Sequence, residues 1–176
     1  PHIRTEKCKS QPEALTCSAS NSSCSRERFH AVTITLTPIG YVRATRADPT
    51  DDNWDAETTT IALDPNQFSP DALLSLDQFS HVEVVYWFHH PEAEKPNLGA
   101  RHPRGRQDWP MVGIFAQRAK NRPNRLGLTV CRLIKIDGLT IHLEGLDAID
   151  GTPVLDIKPW MAGFAPRGEV REPQWA

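Results

Sequence analysis

No stretch of this 176-residue chain approaches the roughly 20 consecutive apolar residues that a membrane-crossing helix needs. The first residues also lack the apolar centre of a secretory leader, so a soluble, cytoplasmic protein is expected. Cysteine is scarce. Cys8, Cys17 and Cys24 stand nine and seven residues apart, which fits no compact zinc spacing such as CxxC, and no metal site is expected. Cys131 lies inside an apolar strand pattern with no adjacent base and reads as a small core residue. Net charge is nearly absent, at −2, which excludes a protein that coats nucleic acid over its whole surface. Common nucleotide and hydrolase frames are missing too: there is no GxGxxG after a strand, no GxxxxGK, no HExxH and no GxSxG.

What the chain does have is segregated charge. Between Arg101 and Lys135 nine Lys or Arg stand against one acid, Asp108, so any polyanion must be met by a local patch. The densest part is "GIFAQRAKNRPNRLG", Gly113 to Gly127, where an apolar, strand-like run from Met111 to Ala116 opens into Arg118, Lys120, Arg122 and Arg125. Arg122 precedes Pro123 and is driven to an extended backbone, and its planar fork suits phosphate or carboxylate. A solvated basic loop and a phosphate cradle both fit the charge. Gly113 and Gly127 bracket the stretch, as close approach of backbone or ligand would require.

Length and a 39% hydrophobic content suit one globular domain. Residues 1–30 are polar, without apolar periodicity, and read as a disordered tail; residues 31–170 read as the domain, and 171–176 as a second tail. "AVTITLTPIGYVRA" predicts two strands joined at Pro38 and Gly40, and "TTTIALD" a third. "SPDALLSLDQF" predicts a short helix capped by Ser69 with Pro70 in its first turn. "HVEVVYWFHH" predicts a central strand covered on both faces. "LGLTVCRLIKI" and "LTIHLEGL" flank Asp137-Gly138, the strongest short hairpin signal, and a second Asp-Gly at 150–151 turns the chain before "PVLDIKPW". About seven strands and one or two short helices make the class mainly β, a small closed or nearly closed barrel.

Candidate chemistry sits at strand ends. His89 and His90 close the predicted central strand, and alternation sends them to opposite faces, so at most one enters a given pocket as donor, acceptor or base. A surface pair is the competing reading. In "LEGLDAIDGTPVLDIKP" the carboxylates could hold a cation or ribose hydroxyls, or serve as turn residues, the better reading for Asp150. Asp147 and Asp156 stand between apolar residues and want partners, for which the cations of 118–125 are candidates. Trp54 and Trp109 lie in polar loops, where base stacking and packing are both open.

Taken together, "FSHVEVVYWFHH", "GIFAQRAKNRPNRLGLTV" and "LEGLDAIDGTPVLDIKPW" resemble, in order and spacing, the TsaA-like domain of the TrmO family, from about Ile39 to Trp160. The resemblance implies a β-barrel S-adenosylmethionine-dependent methyltransferase distinct from the Rossmann-like kind, usually a homodimer, that methylates N6 of threonylcarbamoyl-adenosine beside the tRNA anticodon, at adenosine 37. It implies cofactor contacts at His89, His90, Arg118, Leu128 and the stretch Glu144, Gly145, Leu146 and Asp147, with polar assistance to the reaction from His89 or His90. Arg122, Asn124, Asp156 and Lys158 match signature positions, and Lys120, Arg122, Asn124, Arg125 and Lys158 are the residues expected to meet tRNA. The chain departs from the family in Ala119-Lys120 where Ser-Pro is usual, in Arg125 where proline is usual, and in "TDDNWD" where Pro-Arg-Gln follows the first strand. These departures leave two alternatives: a non-catalytic RNA or S-adenosylmethionine binding module, or the same cofactor used on another substrate.

Overall fold

The computed structural model describes residues 32–48, 53–90 and 95–176. Within the compact unit Thr35–Ala176 the strands are β1 (Gly40–Arg43), β2 (Thr58–Leu63), β3 (His81–Trp87), β4 (Ala100–Arg101), β5 (Val112–Gly113), β6 (Leu126–Asp137), β7 (Thr140–Glu144) and β8 (Pro153–Pro159). Six of them close into a barrel in the order β1-β2-β7-β6-β3-β8, every pairing antiparallel, while β4 and β5 form a ladder of their own. The mainly β, closed architecture expected from the sequence is the one observed. Among the described residues no helix is long and apolar enough to cross a membrane.

A period of two explains the core. Val82, Val84 and Tyr86 of β3, Ile61 of β2, and Ile141 and Leu143 of β7 all turn inward and are fully buried. Cys131 joins them on β6, as a core cysteine should. The Asp137-Gly138 turn forms as predicted, with Gly138 in the left-handed region at φ 58°. β6 serves two neighbours: its first half pairs with β3 and its second with β7, across a register shift between Leu133 and Lys135. Gly127 sits opposite Tyr86 in that ladder, and a Cβ there would stand 2.3 Å from the tyrosine ring. The close approach inferred for the glycine pair is real at Gly127; Gly113 has open space around it. Inside the barrel one group is anomalous: the Thr59 hydroxyl is buried with no hydrogen-bond partner among the described residues.

Several local expectations are corrected. Residues 32–39 form no strand; Val32, Ile34 and Leu36 are exposed, so their alternation has no face to bury against, and β-branching alone does not make a strand. The short helix is delivered as two 3-10 turns, Pro70–Leu73 and Leu76–Gln78, separated by Ser75 at φ 67°, and Ser69 makes no side-chain cap. The strand-like run Met111–Ala116 contributes only the two residues of β5 before a 3-10 turn, Ile114–Ala116, that leaves Phe115 exposed. β3 is fully buried on its inner face alone, because the outer face of a barrel strand looks away from the core, and it stops at Trp87 rather than His90.

Candidate active-site cleft at the barrel mouth

The antiparallel order puts the ends of β1, β3 and β7 and the starts of β2, β6 and β8 at one mouth of the barrel. A cleft of about 700 Å³ opens there, within the size range of small-molecule sites. Its walls come from segments far apart in sequence: Trp54 before β2, His89 and His90 after β3, Arg101, Pro103 to Gly105 and Trp109, Gln117 to Asn121, Asp147 to Ile149, and Trp175.

Both histidines line the cleft, with ring centroids 5.2 Å apart and planes at 73°. The expectation that only one enters fails because strand geometry ends at Trp87, so alternation no longer governs residues 89 and 90. His89 lies against the β7–β8 turn, where a Cβ on Gly151 would be in ordinary contact, 4.0 Å, with His89 Nε2. Asp150 sits in the turn favoured from sequence, closed by the Thr152 amide on the Ile149 carbonyl at 3.2 Å, and its carboxylate also accepts from the distant Ala44 amide at 3.1 Å.

Arg118 also lines the cleft, and its guanidinium donates to the Leu128 carbonyl, which joins the start of β6 to the cleft wall. Asp147 faces the same space. Both act on the Tyr86 hydroxyl below: burial pushes its pKa well above the tyrosine range, Asp147 adds to the rise, and a 3.1 Å hydrogen bond with Thr129 and the Arg118 charge oppose it. The Cys131 thiol is pushed up to about 12, by burial first and Asp147 second. It stays a thiol at physiological pH.

The basic stretch divides. Arg118 and Lys120 line the cleft, whereas Arg122, Asn124 and Arg125 do not. Arg122 donates to the Gln117 carbonyl at 3.4 Å, and Arg125, at φ 53°, holds its guanidinium 6.0 Å from the centre of the Trp87 ring. A positive φ is closed to proline, so the backbone at 125 differs from what the family's usual residue would adopt. The 144–147 stretch divides as well. Glu144 pairs with Arg132 at 2.8 Å, Leu146 is buried in the core, Gly145 turns at φ 84°, and only Asp147 reaches the cleft. Asp156 does not turn to the 118–125 cations as expected; it is paired with Lys158, two residues on along β8.

Among the cleft residues that sequence reasoning missed, two stand out for their contacts. Gln117 is buried, and its amide donates to the carbonyls of Arg101 at 3.2 Å and Val112 at 2.9 Å while accepting from Arg101 Nε at 3.4 Å. It thereby ties the β4–β5 ladder to the Arg118 segment. A lone glutamine carries no local pattern that would announce this. Trp175, assigned to a tail, packs against Trp109 with ring centroids 6.3 Å apart. Among the described residues no His, Cys, Asp and Glu group into a metal-holding cluster; Cys8, Cys17 and Cys24 lie outside the described residues, as do Asp51 and Asp52 of the altered loop.

The fold and the cleft define a class: a closed antiparallel barrel that carries its site in the loops at one mouth, unlike the doubly wound sheets that hold dinucleotides over a Gly-rich turn. Within that class the chain belongs to the TrmO family, since the family model for the tRNA-methyltransferase O N-terminal domain matches residues 43–165. It is 39% identical, over 72% of its own length, to the Pseudomonas aeruginosa protein named "Putative S-adenosylmethionine-dependent methyltransferase RcsF", and spans 54% of that relative. It is 40% identical to the Homo sapiens tRNA (adenine(37)-N6)-methyltransferase over 58% of this chain but only 23% of the human one. A Methanothermobacter thermautotrophicus protein named "Probable S-adenosyl-L-methionine-binding protein" is 38% identical over 72% of this chain and 90% of its own length. A crystal structure of TrmO from P. aeruginosa superposes with a TM-score of 0.67 at 31% identity, covering 84% of this chain and 64% of that one. The chain therefore spans about half the length of the first of these relatives.

Proposed function

We propose that this chain binds S-adenosylmethionine in the mouth cleft and methylates tRNA, at N6 of threonylcarbamoyl-adenosine 37. The observation that carries the reading is the convergence of His89, His90, Arg118 and Asp147, from three separate segments, in one cleft inside the family-matched region. The donor set fits the cofactor: Arg118 offers a fork for its carboxylate, Asp147 a negative charge for its sulfonium or ribose, and Phe88 and Trp54 apolar surface for its adenine. When bound, the cofactor supplies a methyl group on a positively charged sulfur.

The residues of this chain position the acceptor and handle its proton. Displacement at a methyl group needs alignment above all, and the acceptor nitrogen must lose its hydrogen. A neutral imidazole of His89 or His90 takes that proton, and the second histidine orients the first or the acceptor. Gln117 and the Arg118–Leu128 bond hold the cationic wall in place. Lys120 meets RNA phosphate at the cleft, and Arg122, Asn124 and Arg125 extend the contact beyond it, whereas Lys158, opposite Glu83 toward the other end of the barrel and paired with Asp156, stands apart from this patch. The outer face of β6 exposes Leu126, Leu128 and Val130 in a row, with Ile134 beyond the Arg132–Glu144 pair, and this strip supports a homodimer. The reaction takes place in the cytoplasm, where tRNA is found.

The test is incubation with S-adenosylmethionine and tRNA carrying threonylcarbamoyl-adenosine, followed by mass measurement of the digested nucleosides. One added methyl on that nucleoside is the expected result, lost in the His89→Ala, His90→Ala double variant. Intact cofactor binding with no methyl gain overturns the substrate and leaves the two alternatives, a binding module or another acceptor.

A further inference from the structure

We propose that Trp109 is a preorganised stacking platform for an unpaired RNA base neighbouring the one modified, with Trp175 as the adjoining wall. The inference rests on the reading of the protein as acting on RNA. Cations and indole interleave in the segment 101–109, as they do where single-stranded nucleic acid is held by phosphate contacts and base stacking together. Arg101, Arg104 and Trp109 all line the cleft, and the one acid of the segment, Asp108, is tied to Arg106 by two contacts of 2.6 and 3.2 Å. Three arginines, 101, 104 and 106, stand in the segment against that one acid.

The ring is fixed in advance. The Arg106 guanidinium lies 4.6 Å from the centre of the Trp109 ring and is not part of the cleft lining, so it backs the indole while the indole faces the cleft. The Trp109 carbonyl accepts from His102 Nδ1 at 2.7 Å, which pins the backbone beneath the ring. Rigid aromatic area of this kind binds with little loss of side-chain freedom. Trp175 touches Trp109 at a tilt of 48° with centroids 6.3 Å apart, so the two rings leave no slot between them and form a corner: a base stacks on Trp109 and abuts Trp175. The cofactor-fitting charges, Arg118 and Asp147, stand on other segments, which leaves the 101–109 wall to the RNA.

The experiment measures binding of a short fluorescein-labelled oligoadenylate RNA and, by calorimetry, of S-adenosylmethionine, to the full chain and its variants. Trp109→Ala is expected to weaken RNA binding about tenfold or more. Trp109→Phe holds RNA affinity within about threefold of the original, because a smaller π-face remains. Cofactor affinity stays unchanged in both, and Arg104→Gln lowers the slope of log affinity against log salt by about one. RNA affinity untouched by Trp109→Ala overturns the proposal, as does a fall in cofactor affinity in its place, which would give the indole to the cofactor's adenine. If Trp109→Ala does not fold, indole emission decides: RNA quenches it, and the quench shrinks in Trp109→Phe; an equal quench in both overturns the platform. Trp109-dependent RNA binding without methyl transfer to tRNA sinks the proposed function alone. Methyl transfer with an unchanged KM for tRNA in Trp109→Ala sinks the platform alone.

Discussion

In the barrel every strand has hydrogen-bonded neighbours on both sides and gives at least one buried residue to a common core, whereas residues 95–125 share one ladder of two-residue strands and otherwise run as 3-10 turns and loops. Two residues of that segment, Arg104 and Arg125, take left-handed backbone without being glycine. The barrel draws its stability from apolar area, while the segment is held by a few polar contacts, those of Gln117 above all. Regions with few buried apolar contacts open first and move most, which is where binding residues are commonly carried.

The contrast can be broken or sharpened by substitution. Leu143→Ala, which empties a fully buried position in the barrel, should cost about 2–5 kcal/mol of unfolding free energy by urea titration. Gly127→Ala should cost about 1–3 kcal/mol, since its methyl must displace the Tyr86 ring, and a near-neutral result would show that the ladder yields as readily as a loop. Thr59→Val, of the same shape without the orphaned hydroxyl, should raise stability by about 1 kcal/mol. Gln117→Ala should lower global stability by less than about 1 kcal/mol, because the segment it ties opens without the barrel, yet weaken RNA and cofactor binding together. A loss as large as that of Leu143→Ala would mean that segment and barrel unfold as one.

Titration separates the regions once more. Burial holds the Cys131 thiol up at about 12 in the folded barrel, against an ordinary value of 9.0. Below pH 9 both states keep the proton and stability is unaffected; between pH 9 and 12 the unfolded chain releases it while the folded one does not, so stability falls as pH rises. Unfolding measured at pH 8 and pH 10 should show this fall, reduced in Cys131→Ala.

The barrel was legible where the local signal and the tertiary demand agree. Asp137-Gly138 set a hairpin whose two strands then found their register, and "HVEVVYW" announced a strand, although its apolar run pointed to cover on both faces and the barrel buries only one. It was illegible where the same residue types had nothing to pack on, as at Val32, Ile34 and Leu36. The cleft was legible as a set of motifs but not as a geometry. His89 and His90 enter together because the strand ends three residues early, and Trp175 comes within reach of Trp109 through chain folding that no periodicity encodes. Charge alone could not divide "GIFAQRAKNRPNRLG"; side-chain placement did, giving Arg118 and Lys120 to the cleft and turning Arg125 toward Trp87.

The seam between β1 and β8 bears on time as well as on shape. Gly40 pairs with Val154, a separation of 154 − 40 = 114 residues, and the Gly151 amide donates to the Val42 carbonyl across the same gap. Contacts so distant along the chain carry the largest loop-closure cost and form late. Trp54 lies on one side of that seam and Thr152 on the other, so the Trp54 wall joins the rest of the cleft only when the ring shuts. Any part of the binding that depends on Trp54 therefore becomes, during refolding, a clock for barrel closure.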